Sequence, residues 1–163
     1  MIPRYTRDDT IHRESMHKHW MQQAIAQAKT AQTQNEVPVG ALLVLDNLII
    51  GTGYNQVITK NDPTAHAEIV AIRNACEAVG NYRLEHATLY VTLEPCPMCT
   101  AALTQARISR IVFGCRDFKM GACGTVFNLS ASPKLNHKIP VDEGVLEGEC
   151  RELLQEFFAN RRG

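Results

Sequence analysis

The sequence predicts an α/β protein: a three-layer α-β-α sandwich around a central mixed five-stranded sheet. Two observations carry this. Apolar runs of strand length alternate along the chain with stretches of helical periodicity, the pattern that lays helices on the faces of a sheet. Turn and cap signals fall between the runs, notably Asp46-Asn47, Gly80 and Pro97.

Each element has its own justification. Residues 1–14 mix both charge signs without an apolar stripe and are expected to form a flexible tail, leaving 15–163 as a single domain. From Ser15 to about Gln34, the residues Trp20, Met21, Ala24, Ile25, Ala28 and Ala31 recur on one side of a helix. "GALLVL" and "LIIGTGYN" are two strands joined by a two-residue turn at Asp46-Asn47. A helix from about Ala65 to Gly80, a residue suited to a C-terminal cap, is expected to bury Ile69, Ile72, Cys76 and Val79. "ATLYVTL" (87–93) is a buried-type strand running through Glu94 and Pro95 into a second helix at Cys96–Pro97, where proline suits the first turn. "RIVFG" (110–114) is a fourth strand, and a fifth is expected near 138–145. A last helix uses Cys150, Leu153, Leu154, Phe157 and Phe158.

The 163 residues are enough for a substantial core. The longest apolar runs are too short to span a bilayer, and no signal peptide is visible, so the cytoplasm is the expected location, with no membrane partner. Six cysteines in such a compartment favour metal binding or reactivity over disulfides. Seventeen basic and seventeen acidic residues cancel, which argues against a protein that coats nucleic acid through bulk charge. The charge is nevertheless segregated. Arg107, Arg110, Arg116, Lys119, Lys134 and Lys138 precede an acidic stretch containing Asp142, Glu143, Glu147, Glu149, Glu152 and Glu156. Two solvated faces and a local surface for an anionic ligand are both consistent with that pattern.

The chemistry concentrates in "PTAHAEI" (63–69) and "EPCPMC" (94–99). Cys96 and Cys99, three apart at a helix start, share a neighbourhood that favours thiolate. A Cys-x-x-Cys alone is equally a redox pair, half of a structural zinc site, or two inert thiols. His66 alone is equally a structural histidine, and Glu68 alone suits the helix dipole. Together, one imidazole and two thiolates make three protein ligands and leave the fourth tetrahedral position open, the arrangement of catalytic zinc. Glu68, two residues from His66, is poorly placed to share the ion and well placed to carry protons for an activated water.

His-x-Glu followed by Pro-Cys-x-x-Cys is the known signature of zinc nucleobase deaminases, in which the glutamate is not a ligand. Beyond that signature, the chain resembles the bacterial tRNA-specific adenosine deaminases from about residue 16 onward. The resemblance runs through "EVPVGALLV" (36–44), "GYN" (53–55), "NDPTAHAEI" (61–69), "NYRLEHATLYVTLEPCPMC" (81–99), "RDFKMGACGT" (116–125) and "LNH" (135–137). It implies a cytidine-deaminase-like fold, a homodimer, one zinc per subunit held by His66, Cys96 and Cys99, and no organic cofactor. It implies hydrolysis of adenosine to inosine at the wobble position of a tRNA anticodon stem-loop, releasing ammonia, with Glu68 moving the protons. It further implies that Asn55 holds the target nucleotide and that Asp117 lies in the loop that receives the anticodon. Arg116, Lys119, Asn136 and His137 become candidates for RNA contact, with Lys134 and Lys138 as phosphate partners. Bacterial guanine deaminases share the zinc motifs, so deamination of a free base is the alternative; a structural zinc or thiol-redox module is a third.

Two positions depart from the family. Thr100-Ala101-Ala102 stands where Ala-Gly-Ala is usual, and Gly124-Thr125 where Gly-Ser is frequent. His12, His17 and His19 fall in "HRESMHKH" with no cysteine or acid at ligand spacing and are expected to be solvated. Cys115 and Cys123 could in principle complete a four-thiolate site with Cys96 and Cys99, but that would leave His66 and Glu68 without a role. Tyr54 and Phe118 could stack a base or simply pack.

Overall fold

A computed structural model describes residues 7–161. In chain order the elements are α1 (Arg7–Thr33), β1 (Gly40–Leu45), β2 (Leu48–Tyr54), α2 (Ala67–Val79), β3 (Thr88–Leu93), α3 (Pro97–Gln105), β4 (Arg110–Cys115), β5 (Val141–Asp142) and α4 (Glu147–Arg161). The sheet order is β2-β1-β3-β4-β5. β1 runs antiparallel to β2 and β3, whereas β3, β4 and β5 are mutually parallel, so the expected mixed five-stranded sheet is present.

Strand alternation splits the core in two. Ala41, Leu43, Leu89, Val91, Ile111 and Phe113 face α2 and α3, while Leu42, Val44, Tyr90 and Val112 face α1 and α4. That is the three-layer sandwich. Trp20, Met21, Ala24, Ile25, Ala28 and Ala31 are all buried, as their spacing predicts. Asp46 and Asn47 both take positive φ (50° and 63°), which lets Leu45 pair with Leu48 across a tight hairpin. Gly80 is left-handed (φ 67°) and its N–H caps the Cys76 carbonyl.

Two local expectations change. α1 begins at Arg7, inside the segment expected as a tail, and residues 1–6 lie outside the described residues. The added turns are tied to β5, a contact remote in sequence. Arg13 lies 3.6 Å from Asp142, and His17 is buried rather than solvated. Its Nε2 donates to Asp142 (3.2 Å), and its Nδ1 accepts from the Tyr90 hydroxyl (2.8 Å).

The second change concerns α2, whose core face is Ala67, Val70, Ala71 and Ala75; Ile69, Ile72 and Cys76 are only half-buried and Val79 is exposed. The cause lies in β2. A Cβ on Gly51 would sit 2.6 Å from the Ala71 carbonyl oxygen, and one on Gly53 2.6 Å from the Ala71 nitrogen. Glycines on the strand and alanines on the helix let the two backbones approach closely, so Ile72 and Cys76 pack only at the margin of the core and Val79 is left exposed.

Candidate metal centre and nucleotide cavity

β3 and the β2–α2 connection bring two helix starts together at the C-terminal ends of β2 and β3. His66 and Cys96 occupy the N-cap positions of α2 and α3, both in extended backbone, and neither uses its side chain to cap its helix. Pro97 occupies the first turn of α3, where its missing N–H costs nothing. Cys99, one turn on, is fully buried.

Among the described residues His66, Cys96 and Cys99 form the single His/Cys/Asp/Glu group positioned to hold a metal ion, with their donor atoms all within 4.8 Å of one another. His66 Nδ1 lies 3.6 Å from Cys96 Sγ and 3.5 Å from Cys99 Sγ. A tetrahedral zinc with ordinary Zn–S and Zn–N bonds separates such atoms by about 3.5 Å. The donor set and its spacing therefore fit zinc. Cys115 and Cys123 stand apart from it: the first thiol meets the Thr92 carbonyl and the second the Thr100 hydroxyl, each at 3.5 Å. The four-thiolate alternative does not form. The Thr100 contact also gives this departure from the family's usual alanine a partner, linking α3 to the 116–125 loop.

The electrostatics favour a cation. A hydrogen bond from Cys99, opposed by burial and reinforced by His66, pushes the Cys96 thiol down to about 4. That same bond to Cys96, together with burial, raises Cys99 well above the ordinary thiol range. The hydrogen bond to Cys96 raises His66, while burial pushes Glu68 up to about 7.

A cavity of about 390 Å³ opens beside these groups, a size typical of small-molecule sites. His66, Glu68 and Cys96 line it together with Asn55 and Asp117, and its walls include Val37, Val39, Val57, Ile58 and Leu93. Asn55 Nδ2 donates to the Val37 carbonyl (3.4 Å), but its Oδ1 is buried with no hydrogen-bond partner among the described residues. An orphaned acceptor beside the cavity is a feature that a bound donor would satisfy.

Two further acids shape the cavity and were not among the expected site residues. Glu36, fully buried, accepts the N–H groups of Ile58 (3.1 Å) and Thr59 (2.8 Å) and the Thr59 hydroxyl (2.7 Å). Glu94 accepts the N–H groups of Asp117 (3.2 Å), Cys123 (2.9 Å) and Thr125 (3.2 Å), and the Thr125 hydroxyl. A Cβ on Gly121 would fall 2.5 Å from the Glu94 carboxyl carbon, so glycine is needed there for the loop to close over the acid. The signal was present: Glu94 is an acid directly continuing an apolar strand.

The other expected site residues divide. Arg116 is spent on a two-point ion pair with Glu143 (2.7 and 3.0 Å), and Arg110 pairs with Asp142 (3.1 Å), so the basic and acidic stretches partly neutralise each other. Lys119 is exposed beside Asp117. Asn136 lies beyond the C-terminal end of α3, in a separate hollow with Arg83, Arg107 and Lys134. His137 lines a neighbouring hollow with Arg107 and Ser109, where its Nε2 donates to the Ile108 carbonyl (2.7 Å). Neither lines the cavity beside His66.

Comparison with known proteins agrees with this geometry. Residues 14–115 match the family model for the cytidine and deoxycytidylate deaminase zinc-binding region. A tRNA-specific adenosine deaminase of Haemophilus influenzae is 48% identical over 151 residues, covering 92% of this chain and 87% of the relative. A structure from a study of A-to-I editing by tRNA:A34 deaminases at the wobble position of transfer RNA is 46% identical. It superposes with a TM-score of 0.81 over 83% of this chain and 99% of that one. A guanine deaminase from Bacillus subtilis is 33% identical, with a TM-score of 0.61 over 90% of this chain and 94% of its own.

Proposed function

The chain belongs to the cytidine and deoxycytidylate deaminase zinc-binding family, and on that premise we propose that it hydrolyses adenosine to inosine at the wobble position of a tRNA anticodon loop. The observation that carries the reading is one cavity that joins a zinc-spaced His-Cys-Cys set, a buried glutamate, and the side chains of Asn55 and Asp117. The greater similarity to tRNA deaminases than to the guanine deaminase favours RNA over a free base.

His66, Cys96 and Cys99 would hold the zinc, one per subunit. In that position a zinc ion supplies a water of lowered pKa. Glu68 is placed to take a proton from the attacking water as the water oxygen bonds to C6 of adenine, and to deliver that proton to the ring. It then takes the proton of the hydroxyl now on C6 and passes it to the amine as the C6–N6 bond breaks, so one water is consumed, the C6 carbonyl forms and ammonia leaves. Burial, which lifts Glu68 to about 7, suits a group that must both accept and donate near neutrality. Asn55 Oδ1 offers its unused acceptor to a donor on the nucleotide. Asp117 stands at the rim, and Lys119 beside it is available to a phosphate. With Arg116 bound to Glu143, and Asn136 and His137 beyond the far end of α3, these three are weaker candidates for contact with the reacting nucleotide.

The resemblance to the tRNA deaminases supports assembly as a homodimer, and action on tRNA supports a cytoplasmic location. No helix among the described residues is long and apolar enough to cross a membrane. The test of function is incubation with an anticodon stem-loop bearing wobble adenosine, against free guanine and cytidine. Sequencing that locates inosine at the wobble position supports the reading; reaction of free bases alone refutes it.

A further inference from the structure

The loop after β4 is unusually apolar on its outer surface. Phe118, Met120, Val126 and Phe127 are 72%, 49%, 46% and 45% exposed, four of the twelve large apolar side chains exposed among the described residues, all within ten positions. Exposing a phenylalanine forgoes the stabilisation of burial, so a ring held out in water invites an explanation.

Phe118 is held out by its neighbours. Asp117 Oδ1 accepts the N–H groups of Lys119 (3.0 Å) and Met120 (3.2 Å), and the Asp117 carbonyl accepts from Gly121 (2.9 Å). Glu94 fixes the Asp117 N–H from beneath. The turn that carries the ring is thus tied at both ends, and little conformational freedom remains to be lost when something binds.

The turn also sits beside the reaction cavity, because Asp117 lines that cavity and Phe118 is the next residue. An RNA substrate continues on both sides of the nucleotide that enters, and its unstacked neighbours have exposed faces. Lys119, the following residue, has no carboxylate within 4.0 Å among the described residues. An aromatic face followed by a free cation is the pairing that single-stranded nucleic acid recruits, through base stacking and a phosphate contact.

We propose that Phe118 is the stacking surface for the unpaired nucleobase next to the reacting adenosine. This inference rests on the RNA reading given above. Its occupant is a nucleobase rather than a second copy of the chain, because the ring is continuous with the cavity through Asp117.

The test compares the zinc-loaded wild type, Phe118→Ala and Phe118→Trp. The substrates are an anticodon stem-loop with wobble adenosine and two matched stem-loops in which one or the other neighbour of that adenosine is abasic. Phe118→Ala should raise KM about tenfold with kcat within about twofold. Phe118→Trp should restore KM. Zinc content, Tm and sedimentation should stay at wild-type values, since the ring supports no core contact. One abasic stem-loop should raise the wild-type KM by a similar factor and add nothing further in Phe118→Ala. An unchanged KM in Phe118→Ala, or abasic penalties as large in that variant as in the wild type, would overturn the proposal. A changed sedimentation coefficient would do so too, assigning the ring to contact between copies. If the wild type leaves the intact stem-loop unreacted, the RNA reading itself fails and this inference with it; that result comes from the wild type alone.

Discussion

Replacing Gly53 with alanine should damage the metal centre from behind. The new Cβ would lie 2.6 Å from the Ala71 nitrogen and closer still to the Ala67 carbonyl oxygen, where ordinary contact begins near 3.4 Å. Both obstacles are helix backbone, so no side chain can swing aside. α2 must retreat by about 0.8 Å at Ala71 and by more at Ala67, the residue directly after His66. Overpacking of this kind costs about 1–3 kcal/mol, or roughly 2–10 °C in Tm for a chain of this length. Displacing a reacting group by about 1 Å costs roughly a hundredfold in rate. Gly51→Ala is the matched control. Its Cβ would press on the Ala71 carbonyl oxygen and the Ala75 nitrogen with similar severity, about one turn farther from His66. Zinc per chain by mass spectrometry of metals, Tm, and kcat/KM on the stem-loop should separate the variants: similar losses of Tm, but the larger loss of zinc and rate in Gly53→Ala. Wild-type zinc and rate in Gly53→Ala, or equal rate losses in both, would refute the claim that this contact places His66.

Three other outcomes follow from the same geometry. Glu68→Ala should retain about one zinc per chain and lose deamination, whereas Cys99→Ser should lose both, as metal analysis beside the activity assay will show. Glu94→Gln places an amide donor among three N–H groups and a hydroxyl that need an acceptor. It should speed hydrogen exchange at Cys123 and Thr125 more than at core amides such as Val91, and lower stability by about 1–3 kcal/mol. His17 carries a pH dependence: burial lowers its pKa despite the Asp142 contact. As pH falls below about 6.5, the unfolded chain takes up a proton that the folded chain resists, so stability is complete above that pH and declines beneath it. Between pH 7.5 and 5.5 the wild type should therefore lose more Tm than His17→Asn, and equal losses would exclude His17 as the source.

The features legible in the sequence are those written in local chemistry. The α1 stripe, the Asp46-Asn47 turn, the Gly80 cap and the Pro97 start all follow from conformational preferences within a few residues. The metal centre was legible because each half announces itself: an imidazole and a carboxylate at one helix start, two thiols at another. What escaped depends on partners far along the chain. The buried face of α2 is decided by glycines of β2, which hydrophobicity alone ranks below Ile69 and Ile72. His17 becomes a core residue through Tyr90 and Asp142, 73 and 125 positions away. Arg116 looked free for phosphate until Glu143 met it, and the separation of Asn136 and His137 from His66 follows from α3 lying between them.

The cavity's two flanking loops are each clasped from inside by one buried carboxylate, Glu36 beneath residues 58–59 and Glu94 beneath residues 117–125. Neither clasp recognises the side chains outside it, because their bonds go to backbone N–H groups and to threonine hydroxyls. The outward residues of those loops, Ile58, Phe118, Lys119 and Met120 among them, are therefore free to change without loosening the frame that holds them. Substitution on the outer face of these loops should alter what the cavity rim presents, while the reaction centre, seated on helix starts and sheet, keeps its frame. For engineering, the consequence is a boundary: libraries belong on the outer face of these two loops, with Glu36, Glu94, Gly121 and Thr125 held constant.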